Sequence, residues 1–536
     1  MKNWFMSSKN SKLATGLPKE TMSICPECKE LIPAKIYEEN GKVMIEKTCK
    51  QHGTFKDVYW SDVEMYLKAE KWAHDGKGVD NPLIKDAKNC PFECGLCDLH
   101  LSHTCLANLD LTNRCNLQCP ICFANANATG YVYEPSYEEV VKMMETLRNE
   151  KPVPVTAIQF AGGEPTIYPR FFDVLRKAKE MGFSQIQVAT NGLKLVDPDF
   201  CQKMRDAGLN TVYLQFDGLR DEDYIATRGR PLLDVKLKAI ENCRNVKPKP
   251  LSTVLVPTIL NNVNNDQVGE IVNFAVKNSD VIRAVNFQPV AFTGRIDKEQ
   301  RERERYTLTD LVKDLEEQTS FLKKEDFYPV PVVVPISELV SIFSGRSEIA
   351  FTAHPHCGLA TFVFVRDNEV IPITRIVDVE GLFTRMEELV NKVKKFGFLL
   401  RLLSKIKNNK KDVKETFEKY FGEFIHKDKL PEGLDLLDIL SELSLTHKKE
   451  TLGKFTWRTL MIGGMHFQDA YNYDIERVKR CVIHYVVPDG RIIPFCAYNG
   501  GPIYREEVEK NYSIPLQEWK EKHREQEEEA CQEIII

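Results

Sequence analysis

The chain has 536 residues, 43% of them hydrophobic, and a formal net charge of -5 at pH 7. This length allows about two to four domains, and the weakly acidic balance argues against a nucleic-acid partner. The first twenty residues contain no apolar run typical of a signal peptide, and no stretch reaches the ~18 apolar residues of a membrane-spanning helix. We therefore predict a cytoplasmic protein that does not bind nucleic acid.

The cysteines of the chain number 16 and fall mainly in short clusters. Without a predicted secretion signal, such clusters favour metal sites in a reducing compartment over disulfides. Cys201 and Cys243 lie outside the clusters at helical positions, and we expect both to be core thiols.

The first cluster combines a Cys-Pro-Glu-Cys knuckle with a Cys-Lys-Gln-His segment. This layout is typical of a zinc ribbon or a rubredoxin-like site. We predict one mononuclear zinc or iron in an N-terminal domain of residues 1–89, with Cys25, Cys28 and Cys49 as ligands and His52 as the candidate fourth ligand. The metal would stabilise a small domain or relay electrons, and four thiolates would favour iron.

A second cluster lies in residues 90–106, directly ahead of the first strand of the central region. It contains Cys90, Cys94, Cys97 and Cys105. Four thiolates can close an auxiliary 4Fe-4S cluster, and a second zinc site is the alternative.

A third cluster has the spacing Cys-x3-Cys-x2-Cys, with Cys115, Cys119 and Cys122. Three thiolates leave one iron of a 4Fe-4S cluster open to the amino and carboxylate groups of S-adenosylmethionine, whose C-S bond can then be split to give a 5'-deoxyadenosyl radical. The loop follows a predicted strand, Ala107 to Thr112. It is therefore expected at the C-terminal mouth of an α/β barrel, where such folds place their chemistry.

The following segments alternate between helical and strand patterns. Ser136 to Glu150 predicts a helix that opens with a capping box of Ser136 and Glu139. Further strands are predicted at 154–160, 184–190, 210–216, 251–256 and 284–288. Six βα units predict an α/β fold with a partial (βα)6 TIM-type barrel over residues 107–350, in which the C-terminal strand ends share one cavity.

Short polar motifs follow four of these strands. They are Gly162-Gly163-Glu164-Pro165, Thr190-Asn191-Gly192, Phe216-Asp217-Gly218 with Arg228 downstream, and Val256-Pro257-Thr258. Glycines allow a ligand to approach the backbone closely, and a carboxylate can bind an ammonium group. Each motif alone is typical of a turn, but their order behind a three-cysteine loop favours a ligand site.

On these residues, from Ala107 to Arg295, the chain resembles the radical S-adenosylmethionine (SAM) enzymes. The resemblance implies that Gly162, Gly163, Glu164 and Pro165 bind the methionyl ammonium group. It also implies that Asn191 lies near the nucleoside, that Asp217 lies near the ribose, and that Arg228 pairs with the methionyl carboxylate.

The remaining cysteines, Cys357, Cys481, Cys496 and Cys531, are widely spaced in residues 351–536. They resemble the ligands of a second auxiliary 4Fe-4S cluster in a C-terminal domain. Auxiliary clusters would exchange an electron with a substrate radical or hold it, as a C-C or C-S bond-forming reaction requires.

A helical insert is predicted from Gly381 to Trp457, where apolar residues at helical spacing are followed by a run of lysines. An apolar helix edged by lysines suits a phospholipid, and the alternative is an ordinary helical subdomain with a solvated basic face.

Along its whole length the chain resembles the archaeal tetraether lipid synthases. The resemblance rests on Cys90 to His100, on His103-Thr104-Cys105, on Thr112 to Leu117 and on Met465 to Asp469. It implies C-C coupling of terminal methyl carbons of isoprenoid chains in archaeal diether phospholipids, an electron donor such as a ferredoxin, and peripheral contact with the inner membrane face.

Two alternatives remain open at this point. One is a radical methylase acting on a pterin in methanopterin synthesis, and the other is a non-catalytic iron-sulfur electron carrier. A pterin needs paired polar groups in a compact site, whereas lipid chains need an apolar tunnel.

Overall fold

The computed structural model describes residues 12–294, 300–366, 369–396, 410–446, 449–501 and 504–522. The N-terminal part forms a four-stranded antiparallel sheet of β1 (Lys19–Ile24), β2 (Leu31–Glu39), β3 (Lys42–Cys49) and β4 (Gly53–Trp60), followed by a helix, Val63–Glu70. Alternate residues of β2 and β3 are buried, among them Ile36 and Ile45. One face of this sheet therefore packs against the rest of the protein.

The centre of the molecule is the partial barrel that the sequence predicts. Its parallel strands are β5 (Leu106–Thr112), β7 (Ala157–Gly162), β8 (Gln185–Thr190), β9 (Thr211–Gln215), β10 (Ser252–Val256) and β12 (Ile282–Pro289). Two short strands accompany them, β6 (Tyr131–Tyr133) and β11 (Thr258–Ile259). All six predicted strands are confirmed, and their C-terminal ends meet at one mouth.

Amphipathic helices cover the outside of the barrel. They are Tyr137–Arg148, Phe171–Glu180, Pro198–Asp206, Asp221–Arg228, Leu233–Asn245, Val268–Lys277 and Leu308–Gln318. The predicted capping box is present, since the Glu139 amide donates to Ser136 Oγ and the Ser136 amide donates to the Glu139 carboxylate. The first helix buries Val140, Met143 and Leu147 against the sheet.

The C-terminal part of the chain adds strands to both edges of the barrel sheet. At one edge, β16 (Thr459–Met465) pairs parallel with β12, and β14 (Gly358–Arg366) pairs antiparallel with β16 and with β13 (Tyr328–Pro329) and β15 (Glu369–Pro372). At the other edge, β17 (Ile483–Val486) pairs parallel with β5 and antiparallel with β18 (Ile492–Pro494). A separate pair joins β19 (Ser513–Pro515) to β6. The predicted domain boundaries remain a prediction.

The predicted helical insert forms a core of its own. Its helices are Val379–Phe396, Lys410–Phe421, Leu436–Thr446 and Lys449–Thr456, packed with Val334–Ser344. The apolar side chains at helical spacing face one another, among them Leu382, Met386, Val390, Val393, Phe417, Phe421 and Leu437. Lys405 and Lys407 lie outside the described residues, and Lys414 pairs with Asp435 at 2.7 Å. The apolar pattern therefore builds an ordinary helical core.

The other helices are short, Arg301–Glu304, Ile475–Lys479, Phe495–Asn499, Tyr504–Asn511 and Leu516–Lys522. Of the helices in the described residues, none combines the length and the apolar character that crossing a membrane requires.

Candidate active site

A cavity of about 270 Å³ opens at the C-terminal ends of the barrel strands. Cys115, Cys119 and Cys122 all line it, together with residues that end β7, β8 and β10. Burial is the largest cause that raises the pKa of the Cys115 and Cys119 thiols. Three partly buried thiols at one end of a cavity fit a 4Fe-4S cluster, since coordination to iron offsets the cost of burying the charged thiolates.

Two asparagines fix the loop that carries these thiols, residues 115–122. The side chain of Asn127 accepts from the Cys115 amide at 2.9 Å and donates to the Cys115 and Leu117 carbonyls at 2.7 and 3.2 Å. Asn191 Nδ2 donates to Asn116 Oδ1 at 2.7 Å and lies 3.9 Å from Cys115 Sγ. The Thr190-Asn191-Gly192 motif after β8 therefore contacts the cysteine loop directly. Its predicted contact with a nucleoside stays a prediction.

The glycine motif after β7 lies against the start of the cysteine loop. Gly163 and Glu164 donate their amides to the Thr112 and Arg114 carbonyls at 2.7 and 2.9 Å. A Cβ atom on Gly163 would lie 2.1 Å from the Arg114 oxygen, and Gly162 has a φ of +123°. Both positions therefore need glycine.

The Glu164 carboxylate is buried and accepts four hydrogen bonds. The donors are the amide and hydroxyl of Thr166, the hydroxyl of Thr190 at 2.8 Å and the amide of Asn191 at 2.8 Å. Burial raises the pKa of Glu164, and these hydrogen bonds oppose the rise. Glu164 therefore joins the ends of β7 and β8, and its predicted contact with an ammonium group stays a prediction.

Asp217 and Arg228 form a buried ion pair at the end of β9. Arg228 Nε lies 2.6 Å from Asp217 Oδ2 and Arg228 Nη2 lies 3.0 Å from Oδ1. Arg228 also donates to the Ile121 carbonyl and to Thr258 Oγ1, both at 3.0 Å. Burial is the largest single cause and lowers the pKa of Arg228, but the charge of Asp217, the hydrogen bonds to it and the charges of Cys119 and Cys122 together raise that pKa, so the guanidinium stays charged.

Lys236 is a buried site residue that the motif analysis missed. Its Nζ donates to the Asn191 carbonyl and, at 2.6 Å, to Gln215 Oε1. Burial lowers the pKa of this amine to about 7. The sequence contains an indication of this burial, because Lys236 is spaced along its helix to lie on the same face as Ala239, Ile240 and Cys243, and that face is buried.

A row of carboxamides on the barrel interior was also missed. Asn108, Gln159 and Gln187 stand opposite one another on β5, β7 and β8. Gln187 donates to Gln159 and Gln159 to Asn108, each at 2.8 Å. The sequence indicates the row by one carboxamide residue within each of three strands that are otherwise largely apolar and predicted to be buried.

The N-terminal metal ligands meet as the sequence predicts. The Sγ atoms of Cys25, Cys28 and Cys49 and a ring nitrogen of His52 all lie within 4.8 Å of one another. Hydrogen bonds from the Gln51 amide, followed by those of His52, lower the pKa of Cys49 to about 6. Three sulfurs and one imidazole at this spacing fit a tetrahedral metal ion.

Six of the ten remaining cysteines form two groups of three. Cys90, Cys94 and Cys97 line one small cavity. Cys357, Cys481 and Cys496 lie together in the C-terminal part, where the charges of Cys496 and Cys357 add to burial in raising the pKa of Cys481.

Cys105, the predicted fourth ligand of the first group, lies instead beside Cys481 of the second group, since its amide donates to the Val482 carbonyl. Cys105 packs with Ala353 and Val482, and its pKa is raised by burial and then by the charges of Glu150 and Cys481. Cys531 lies outside the described residues. Cys201 and Cys243 are buried in the core, as predicted.

Comparison with known proteins matches residues 109–275 to the radical SAM superfamily and residues 17–61 to the HMPTM N-terminal zinc ribbon domain. The 7,8-dihydro-6-hydroxymethylpterin dimethyltransferase of Methanocaldococcus jannaschii is 47% identical over 95% of this chain and 98% of its own length. The chain therefore belongs to the radical SAM superfamily, and within it to the same family as the dimethyltransferase of M. jannaschii.

Two more distant similarities accompany this match. The tungsten-containing aldehyde ferredoxin oxidoreductase cofactor-modifying protein of Pyrococcus furiosus is 29% identical over 31% of this chain and 46% of its own. The crystal structure of Streptococcus suis SuiB bound to S-adenosylmethionine is 18% identical, with a TM-score of 0.33 over 41% of this chain and 47% of that chain.

Membership of the superfamily confirms several predictions. The chain is a radical SAM enzyme with SAM and a 4Fe-4S cluster as cofactors, and it carries an N-terminal zinc ribbon with a cysteine-rich metal site. The electron-carrier alternative is thereby rejected. The ligands of the auxiliary clusters remain a prediction.

The predicted lipid synthase function is contradicted. The relative that matches the chain almost end to end is named for a pterin, and the predicted diether phospholipid, the membrane contact and the ferredoxin donor find no support in it or in the described residues. The physical reason lies in the insert, whose apolar residues pack on one another. The described residues that line the cavity come from outside the insert.

Proposed function

We propose that the protein is a radical SAM methyltransferase whose substrate is a pterin of the 7,8-dihydro-6-hydroxymethylpterin class. The observation that carries the proposal is the polar interior of the barrel beside the cysteine loop. Asn108, Gln159, Gln215 and Gln288 line the cavity with carboxamides, and Tyr213 adds a hydroxyl. A pterin has amide-like edges that pair with such groups.

The apolar part of the lining suits the flat faces of a heteroaromatic ring. Phe467 and Phe495 stack with ring centroids 3.9 Å apart, and both line the cavity together with Val256 and Met465. The 47% identity to the pterin dimethyltransferase supports the same substrate class.

We also propose roles for the residues at the barrel mouth. Cys115, Cys119 and Cys122 would hold the 4Fe-4S cluster, which with SAM supplies a 5'-deoxyadenosyl radical when both are bound. Glu164 and Lys236 fix the backbone at Asn191, and Arg228 fixes the loop at Ile121. These contacts hold the ligand-bearing backbone in place before any substrate binds.

The auxiliary 4Fe-4S clusters would bind the two other groups of cysteines. Cys90, Cys94 and Cys97 form one ligand set, and Cys357, Cys481 and Cys496 form the other. The fourth ligand of each set is open, with Cys105 and Cys531 as the sequence-based candidates.

The test is anaerobic turnover of the reconstituted protein with SAM as the radical source, a reductant, 7,8-dihydro-6-hydroxymethylpterin and a methyl donor, which is either further SAM or a reduced pterin that carries a one-carbon group. We expect 5'-deoxyadenosine together with a pterin whose mass increases by one CH2 unit for each methyl group transferred. Cys119→Ala should abolish both products. If 5'-deoxyadenosine forms while the pterin stays unchanged, the radical SAM assignment stands and the pterin assignment is wrong.

A further inference from the structure

The carboxamide row on the barrel floor has a fixed direction. Gln185 Nε2 lies 3.4 Å from Gln187 Oε1, Gln187 Nε2 donates to Gln159 Oε1 at 2.8 Å, and Gln159 Nε2 donates to Asn108 Oδ1 at 2.8 Å. Each carboxamide accepts through its oxygen and donates through its nitrogen. The side-chain oxygens of Gln187, Gln159 and Asn108 each accept from the residue before them in the row. The donating nitrogens of the glutamines therefore all point towards Asn108.

Strand register creates this row. Asn108 stands opposite Gln159 across β5 and β7, and Gln159 stands opposite Gln187 across β7 and β8. Side chains at one level of parallel barrel strands form a layer across the interior. The orientation of Asn108 is therefore set by contacts with its neighbours before a ligand binds.

The row ends on a donor without a partner. Asn108 is 1% exposed and lines the cavity, and its Nδ2 has no hydrogen-bond partner within the described part of the chain. Buried polar groups in proteins are nearly always hydrogen-bonded. A buried N-H without a partner, on a residue that lines a cavity, calls for an acceptor on the molecule that fills the cavity.

Other polar groups that line the cavity already have partners. Tyr213 accepts from Asn286 Nδ2. Gln215 donates to Asp217 and accepts from Lys236. Of these three residues, Asn108 alone has a buried side-chain atom without any hydrogen-bond partner in the described part of the chain.

We propose that Asn108 determines substrate specificity by donating a hydrogen bond from Nδ2 to the lactam carbonyl of a bound pterin. The proposal rests on the proposed function and adds the atom that recognises the substrate. It implies that the site discriminates a 4-oxo ring from the 4-amino ring of a 2,4-diamino analogue, because an amino group in place of the carbonyl would set donor against donor.

The experiment compares the two ring types as ligands. Anaerobic equilibrium titration of the reconstituted protein would use 7,8-dihydro-6-hydroxymethylpterin and its 2,4-diamino analogue. We expect the wild type to bind the 4-oxo pterin at least about tenfold more tightly. Asn108→Asp keeps the size but replaces the donor with an acceptor, so the preference should fall to one or reverse.

A second variant reverses the row without touching the cavity lining. In Gln187→Glu, the carboxylate accepts from Gln159, so Gln159 turns, accepts from Asn108 Nδ2, and leaves Asn108 Oδ1 facing the cavity. The preference should again fall. Asn242→Asp is the matched control, since Asn242 is buried and bonded to the Leu195 and Val196 carbonyls away from the cavity.

The outcomes separate the two proposals. If the wild type binds neither pterin or shows no preference, or if Asn108→Asp and Gln187→Glu keep the wild-type preference, the proposal for Asn108 is wrong. Binding with the expected preference and its loss in the variants, but no methylation, overturns the proposed function alone. Should Asn108→Asp fail to fold by thermal melting, Gln187→Glu and Asn108→Ser decide the question through the same titration.

Discussion

Arg228 and Asp217 form a two-point ion pair, with Nε-Oδ2 at 2.6 Å and Nη2-Oδ1 at 3.0 Å, beneath the cysteine loop. The third guanidinium nitrogen donates to the Ile121 carbonyl inside that loop. Sequence motifs assign both residues to ligand binding, whereas the structure shows that each first binds the other. The pair connects the end of β9 to the backbone between Cys119 and Cys122.

Asp217→Asn should leave the Arg228 guanidinium buried without its counter-ion. Because the two side chains are 0% and 10% exposed, we expect unfolding to become easier by about 3–5 kcal/mol, with a loss of 5'-deoxyadenosine formation. Urea unfolding and a nucleoside assay measure the two effects. Asp266→Asn is the control, since its pair with Arg220 is exposed and should change stability by about 1 kcal/mol or less. Equal effects of the two substitutions would contradict the prediction.

Gly163→Ala should disrupt the contact between the glycine motif and the cysteine loop. The added Cβ would meet the Arg114 carbonyl oxygen at 2.1 Å, so the backbone must shift. We expect a loss of about 1–3 kcal/mol in stability and a fall of about tenfold or more in 5'-deoxyadenosine formation.

The matched control for this change is Gly453→Ala. Gly453 lies in the helix Lys449–Thr456, where an added Cβ meets Trp457 Cδ1 no closer than 4.0 Å. This substitution should stabilise the helix by up to about 1 kcal/mol and leave activity unchanged. Wild-type activity of Gly163→Ala would show that the close approach is not required.

Lys236 should make stability depend on pH. Burial lowers its pKa from 10.5 to about 7, so between these values the unfolded chain binds a proton that the folded chain does not. As the pH falls from about 10.5 to about 7, the fold should lose about 1.4 kcal/mol per unit, and below about 7 the loss stays constant. The free energy of unfolding of the wild type minus that of Lys236→Met should therefore decrease as the pH falls from about 10.5 to about 7. Lys238→Met, on an exposed position of the same helix, should show no such trend, and a flat difference for Lys236→Met would refute the assignment.

His52→Ala should weaken metal binding by the zinc ribbon. His52 Nδ1 lies 3.6 Å from Cys25 Sγ and 3.4 Å from Cys49 Sγ, and loss of one of four ligands opens the site. We expect elemental analysis to show less zinc or iron per chain and unfolding to begin at lower temperature. His52→Cys should retain a metal ion. His74→Ala serves as the control, because His74 follows the helix Val63–Glu70 and does not belong to this ligand group. Full metal content in His52→Ala would remove His52 from the ligand set.

The predictions that succeeded rest on local patterns. Strand periodicity located β5, β7, β8, β9, β10 and β12, the Ser136 capping box located a helix start, and short cysteine spacings located the SAM-cluster loop and the zinc ribbon. These features depend on residues close in sequence, so they can be read without knowing the fold. The lipid hypothesis failed because an apolar helical pattern predicts burial but not the partner that buries it. In the structure, Met386 and Phe417 supply that partner within the insert.

The radical SAM barrel, its three-cysteine loop and the three cysteine ligands of the N-terminal metal site could be read from the chain alone, because each is encoded in a contiguous motif or a regular period. The packing of the folded chain was needed to show that the amine of Lys236 reaches Asn191, that β16 and β17 extend opposite edges of the barrel, and that Asn108, Gln159 and Gln187 align. These contacts join residues far apart in the chain. Their existence depends on strand register and helix packing, which no local pattern specifies.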